Sequence, residues 1–173
     1  MIAILDQEAI KIAHIAAKSD AKPILQCVRI GGGEIVACDG FVLAKRPIPT
    51  KSETGAVILV KARDILMAQK EWKAKSLVID SSNISHVVIR DEASGNTIET
   101  QLALGMYPHT TKLCPTTKRK AYIVLDKYLL AKVLRVVSGR FVKLKIREST
   151  EPIEFIVDET RGLIMPAFIK EED

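Results

Sequence analysis

A pattern that occurs three times constrains this chain more than any other feature. In the last third, Tyr122-Ile-Val-Leu125 is a short apolar run rich in β-branched residues, and Asp126 after it can cap a helix whose apolar positions Leu130, Leu134 and Val137 share one face. Ser138-Gly139 ends that helix. Val142-Lys-Leu-Lys-Ile146 then alternates apolar and charged residues, Glu151-Pro152 turns the chain, and Ile153 to Val157 followed by Leu163 to Ile169 completes an antiparallel set. The same order opens the chain, where Ile2-Ala-Ile-Leu5-Asp6 precedes a helical pattern through Ile10, Ala13 and Ala17. It returns where Val57-Ile-Leu-Val60-Lys61 precedes a helix carrying Ile65, Leu66 and Gln69. These starts recur about every 55 to 65 residues, the spacing of a supersecondary unit rather than of a short solenoid turn. The chain therefore reads as an α+β fold of three βαβββ modules.

Composition bounds what such modules can do. With 173 residues and 47% apolar content, the chain has ample material for a packed core. No apolar run approaches the roughly 20 residues needed to span a bilayer, and the amino terminus is acidic where a secretory signal would be basic. A cytoplasmic protein without a membrane partner is expected. Cys27, Cys38 and Cys114 are odd in number and outside any CxxC pattern, so they suggest reduced thiols in strands or turns rather than a disulfide framework or a zinc site. The net charge of +5 permits an acidic partner. It divides as about +1, +1 and +3 among the modules, as for a surface repeated in each unit rather than a basic tail. Aromatics make up only 5%, which argues against binding single strands by base stacking.

Within the first module, Gln7, Lys11, His14 and Lys18 fall on one helical stripe, with Ile10, Ala13 and Ala17 on another. Ala21-Lys-Pro23 breaks the helix, Ile24 to Ile30 is a predicted strand, and Gly31-Gly-Gly33 turns the chain into Glu34 to Cys38. Asp39-Gly40 between apolar alternations predicts a hairpin, and Phe41 to Pro47 closes the module. In the second module, strands are expected at Leu77 to Asp80, Ser85 to Arg90 and Thr97 to Leu104, with a turn at Ser94-Gly95-Asn96. Leu104 through Pro115 reads as an extended linker.

Nothing in the sequence predicts catalysis. His14, His86 and His109 have no partners at metal-ligand spacing, the glycine run lacks a following Lys-Ser or Lys-Thr, and no cofactor or metal site is expected. A hydrolase using Cys38 or Cys114 lacks a base at suitable spacing. The basic helical stripes are more informative: Lys11 and Lys18 in the first helix, Arg63, Lys70 and Lys73 in the second, Lys132 and Arg135 in the third. A charged outer face with acids near the helix start and bases near its end accounts for such stripes as readily as phosphate contact does.

Three further stretches narrow the choice. Ala37-Cys-Asp-Gly-Phe-Val-Leu-Ala44, the segment from Leu104-Gly-Met-Tyr-Pro108 to Pro115, and the ending Gly162-Leu-Ile-Met-Pro166 resemble, in that order, motifs of the bacterial DNA polymerase III β subunit, the sliding clamp. Residues 1–115, with modules 1–54 and 55–115, look like a complete middle domain of that clamp. Residues 116–173 look like the second half of its last domain.

The resemblance implies antiparallel sheets forming an outer wall and helices lining a hole that encircles double-stranded DNA without reading bases. It assigns DNA contact to Lys11, His14, Lys18, Lys61, Arg63, Lys70, Lys73, Lys132 and Arg135. It also implies a peptide-binding pocket for a DNA polymerase or other clamp-binding proteins. The residues carried over to it are Leu25, Cys38, Gly40, Leu43, Pro115, Leu163 and Met165. A clamp loader is a further candidate partner. An adaptor that keeps the pocket without encircling DNA is the alternative reading. The chain departs from the family in having three modules rather than six, in Cys38 where a hydroxyl residue usually precedes Asp-Gly, and in the acidic ending Glu171-Glu-Asp173. Paired modules leave one of three with an open sheet edge, so a partner chain is expected, and four copies forming a homotetrameric ring would supply the family's twelve modules.

Overall fold

The computed structural model describes residues 1–19, 22–51, 56–83, 85–110, 123–136 and 140–167, in two compact units, Met1–Thr111 and Lys112–Asp173. Pro115, Cys114, Tyr122, Val137 and the acidic ending lie outside the described residues.

In the first unit the order is β1 (Ile2–Asp6), α1 (Gln7–Ile12), β2 (Cys27–Gly31), β3 (Glu34–Cys38), β4 (Leu43–Pro47) and the short β5 (Thr50–Lys51). The second module follows as β6 (Val57–Lys61), α2 (Ala62–Trp72), β7 (Ser76–Asp80), β8 (His86–Arg90) and β9 (Thr97–Gln101). Two antiparallel sheets result, ordered β5-β1-β7-β8-β9 and β4-β3-β2-β6. Each module lends its first strand to the other's sheet. β1 runs against β7 with Leu5 opposite Leu77 and Ala3 opposite Ile79, while β6 runs against β2 with Val60 opposite Val28 and Ile58 opposite Ile30. All eight of these side chains face one core, which also takes Ala9 and Ile10 of α1 and Ile65 and Ala68 of α2. Burying each large aliphatic side chain is worth about 1.5–3 kcal/mol, so neither module keeps its core without the other.

The helices start where the sequence predicts, for a local reason. The Asp6 carboxylate accepts from the Ala9 N–H at 2.7 Å, and in the second unit Asp126 accepts from the Tyr128 N–H at 2.7 Å. The first helix is shorter than its periodicity suggests. The α-helix stops at Ile12, a 3-10 turn covers Ala13–Ile15, and Ala16 leaves helical geometry with ψ 145°. Lys11 and Lys18 therefore do not share a continuous helical stripe. The strand predicted from Ile24 begins only at Cys27, because Pro23–Gln26 form another 3-10 turn with the proline fixing its first φ.

Gly31 is needed for close approach: a Cβ there would lie 2.6 Å from the Ala56 carbonyl oxygen, where β6 pairs with β2. The Asp39-Gly40 hairpin is wider than a two-residue turn. Cys38 pairs with Leu43, and between them Asp39 Oδ1 accepts from the N–H groups of Phe41 (2.8 Å) and Val42 (2.7 Å), with Gly40 at φ 98°.

The second unit contains α3 (Lys127–Val136), β10 (Lys143–Lys145), β11 (Ile153–Val157) and β12 (Thr160–Ile164), the strands paired in that order. The last strand starts three residues earlier than predicted and ends at Ile164. A two-residue turn at Asp158-Glu159 sets this, with Asp158 at φ 49° and Val157 opposite Thr160. Ile153, Phe155 and Ile164 form a small core against Ile123, Leu125, Leu130, Val133 and Val142. Phe155 lies across Gly162, where a Cβ would fall 2.3 Å from the ring.

Candidate functional site

The first unit carries a basic groove of about 390 Å³ where the turn after α1 meets the start of α2. Its floor is Ala13, Ala16, Ala17, Ala62 and Leu66, and its polar lining is His14, Lys18, Gln26, Lys61 and Arg63. Four predicted contact residues thus meet in one place, although the continuous stripe does not exist. Among the described residues no carboxylate lines the groove. The nearest acid in sequence, Asp64, is buried, accepts from Thr100 Oγ1 at 2.6 Å and lies 3.3 Å from Arg63 Nε.

Lys61 is the informative member. It is the N-cap of α2 and makes no side-chain capping bond, whereas Asp6 and Asp126 occupy the matching positions of the other two helices and do cap them. A lysine there forgoes about 1 kcal/mol of capping and places positive charge at the positive end of the helix dipole. Local helix energetics do not favour it, so its presence calls for another cause.

The remaining predicted cations separate from the groove. Lys11 pairs with Glu8 on the exposed face of α1. Lys70 lies in the last turn of α2 and Lys73 is its left-handed C-cap at φ 51°, places where a cation suits the dipole. In the second unit Lys132 and Arg135 are exposed on α3, and Tyr128 lies on the same stripe at i, i+4, i+7 spacing with the Lys127 ammonium 5.1 Å from its ring. Sequence reasoning missed Tyr128 and Gln26. Tyr128, one residue into a cationic helix, carried a usable signal in its spacing.

The predicted pocket residues of the first unit also gather, but differently from expectation. Leu25 and Cys38 are almost closed to solvent and support the surface rather than form it. Leu25 Cδ1 lies 4.0 Å from where a Gly40 Cβ would be, and Leu43 stands opposite Cys38 in the β3–β4 ladder. Burial pushes the Cys27 thiol up. Tyr107 packs nearby, its phenol pushed up to about 12 by burial first and by the neighbouring Cys38 thiol second. Gly105 approaches Ile24 closely, 3.0 Å from a Cβ position to Ile24 Cδ1. In the same unit Phe41, Leu104 and Met106 are each more than nine-tenths exposed. Sequence reasoning did not assign these three to a site, because apolar character alone argues for burial. In the second unit Leu163 and Met165 are more than half exposed while Ile164 and Pro166 between and beyond them are buried.

Among the described residues no cluster of His, Cys, Asp or Glu could hold a metal ion, and no helix is long and apolar enough to cross a membrane.

Comparison with known proteins defines the class of this fold. No protein-family model and no curated protein matches the sequence. Solved structures do match. The chain superposes on the DNA polymerase sliding clamp of Bacillus subtilis with a TM-score of 0.74 at 19% identity, covering 99% of this chain and 50% of that one. The DNA polymerase III β chain of Streptococcus pneumoniae gives 0.73 at 20%, covering 100% and 51%. The Helicobacter pylori β clamp bound to a DNA ligase peptide gives 0.59 at 14%, covering 96% and 65%. The fold is that of the bacterial sliding clamps, and the chain spans about half the length of the first two.

Proposed function

We propose that the chain is a reduced sliding clamp: a non-catalytic, cytoplasmic processivity factor that encircles duplex DNA and tethers a polymerase or another replication protein. The observation that carries this reading is the basic groove with Lys61 at an uncapped helix start, within a fold shared with clamps. His14, Lys18, Lys61 and Arg63 contact phosphates, with Lys132, Arg135 and Tyr128 doing so from the second unit, while Lys11, Lys70 and Lys73 add to the general positive field. Such contacts neutralise phosphate without reading base edges, so they permit sliding. The twelve modules of a closed ring come from four copies. The two units correspond to one clamp domain and one half domain.

In the first unit the exposed Phe41, Leu104 and Met106, with Leu25, Cys38, Gly40 and Leu43, take a short apolar peptide, and in the second unit the exposed Leu163 and Met165 are candidates for peptide contact. The same surface supports a second reading, an adaptor that binds peptides and never closes on DNA.

Duplexes of unrelated sequence bound in a salt series test the first reading. Affinity is expected to be the same for all of them and to fall steeply and linearly with log salt, and Lys61→Ala should flatten the slope by about one unit for each Lys61 ammonium removed from a phosphate. Strong sequence preference, or a slope that Lys61→Ala leaves unchanged, would contradict it.

A further inference from the structure

In the first unit every first strand of a module has two neighbours. One edge meets the end of its own module: the Ile4 N–H donates to the Pro49 carbonyl at 3.0 Å, and the Ala103 N–H donates to the Leu59 carbonyl at 3.0 Å. The other edge meets the strand after the sister module's helix, β1 against β7 and β6 against β2.

The third module repeats half of this. The Ala167 N–H donates to the Val124 carbonyl at 2.9 Å, and Val124, like Leu59 and Ile4, stands three residues before its helix begins. The other half is open among the described residues. Among the described residues, 123–125 belong to no sheet and no strand pairs with the edge of β10 that faces away from β11. Position for position, Leu144 opposite Phe155 in the third module matches Ile79 opposite Ile89 in the second, each 17 residues after its helix start. Yet Ile79 is 0% exposed, whereas Leu144 is 39% exposed. Ile146, Leu129 and Leu134 are likewise exposed. The module thus offers both halves of the joint that holds the first unit together: a free first segment, and a free strand edge with an apolar face.

We propose that a second copy of this chain fills it, reciprocally and about a twofold axis, each copy's residues 123–125 lying antiparallel against the other's β10. Self-pairing follows because the joint in the first unit is itself reciprocal, so one module carries both parts of it. Counting from the helix starts gives the register: Leu125 opposite Val142, Val124 opposite Lys143 and Ile123 opposite Leu144, as Leu5, Ile4 and Ala3 stand opposite Leu77, Val78 and Ile79. An open strand edge with an exposed apolar face is also a surface that a folded chain must cover to avoid uncontrolled association. The pairing deepens the clamp reading, since two copies joined this way hold six modules and two such pairs hold twelve.

Full-length chains carrying Val124→Cys mixed with chains carrying Lys143→Cys, oxidised in dilute solution and run without reductant, test the register. A disulfide-linked pair of twice the chain mass is expected from the mixture, and neither variant alone nor the unsubstituted chain should give it. Leu144→Glu, at a half-open position that tolerates charge in the separated chain, should abolish the link and lower the mass in solution while leaving the circular dichroism of the fold unchanged. Absence of the link in the mixture, or a link and mass indifferent to Leu144→Glu, overturns the proposal. The outcome is separable from the clamp reading. Retention on circular DNA without the link leaves a clamp with a different joint, and the link without retention leaves the joint and removes the clamp.

Discussion

Lys61 occupies a position where the fold's own energetics favour an aspartate, and this makes it a test of function against stability. Lys61→Asp restores the cap that Asp6 and Asp126 provide in the other modules, so the variant is expected to be more stable by about 0.5–1 kcal/mol in urea denaturation. The same substitution puts a carboxylate in the basic groove and is expected to weaken duplex binding at least tenfold. Loss of both stability and binding, or of neither, would show that the residue has another role. Tyr107 gives a second residue-scale prediction. Its phenol is held protonated in the fold, with a pKa pushed from 10.0 up to about 12. The unfolded chain therefore loses this proton first, and the contribution of Tyr107 to stability falls as pH rises from about 10 to about 12. Urea midpoints compared at pH 9 and pH 11 should show a smaller alkaline loss for Tyr107→Phe than for the unsubstituted chain. The groove cations were legible in the sequence because charge on an amphipathic pattern faces solvent. The burial of Leu25 was legible in its apolar character, but the 3-10 turn at Pro23–Gln26 that holds it was not, since its neighbours suggest a strand.

The elements show where periodicity suffices and where it does not. The strand pattern located β7, β8 and β9 to within a residue or so at their starts, because β8 and β9 alternate in burial and β7 is a short apolar run, Leu77-Val-Ile79, buried throughout. It placed the last strand too late, since Thr160-Arg161-Gly162 carries no apolar signal at all and is held in the sheet by the Asp158 turn and by Phe155. Gly162 is therefore a packing residue. Gly162→Ala should cost about 1–3 kcal/mol through collision with the Phe155 ring. In the Phe155→Leu background the same change should cost much less, so a double-mutant cycle in thermal or urea unfolding should return a coupling of at least 1 kcal/mol. Additive effects would show that the ring moves aside freely. The shortening of α1 at Ile12 was equally invisible, because the residues that follow, Ala13 to Ile15, are acceptable in a helix and turn away for tertiary reasons, packing on α2 and β3.

At the scale of the molecule, the repeat was the most legible feature, and it carried the fold. What the repeat could not convey is that modules exchange their first strands, a long-range pairing with no local trace between β1 and β7 or between β2 and β6. That exchange is why, among the described residues, the odd third module leaves an edge open, and it is the basis of the proposed assembly. Light scattering is expected to give four times the 19.1 kDa of one chain, and a mass of one chain at micromolar concentration would exclude a ring. The most direct test is topological: the assembled protein is placed on nicked circular DNA, washed in high salt, and the circle is then cut once. Retention on the circle through the salt wash, followed by release on linearisation, is the predicted result. Equal loss from circular and linear DNA in salt would contradict encirclement.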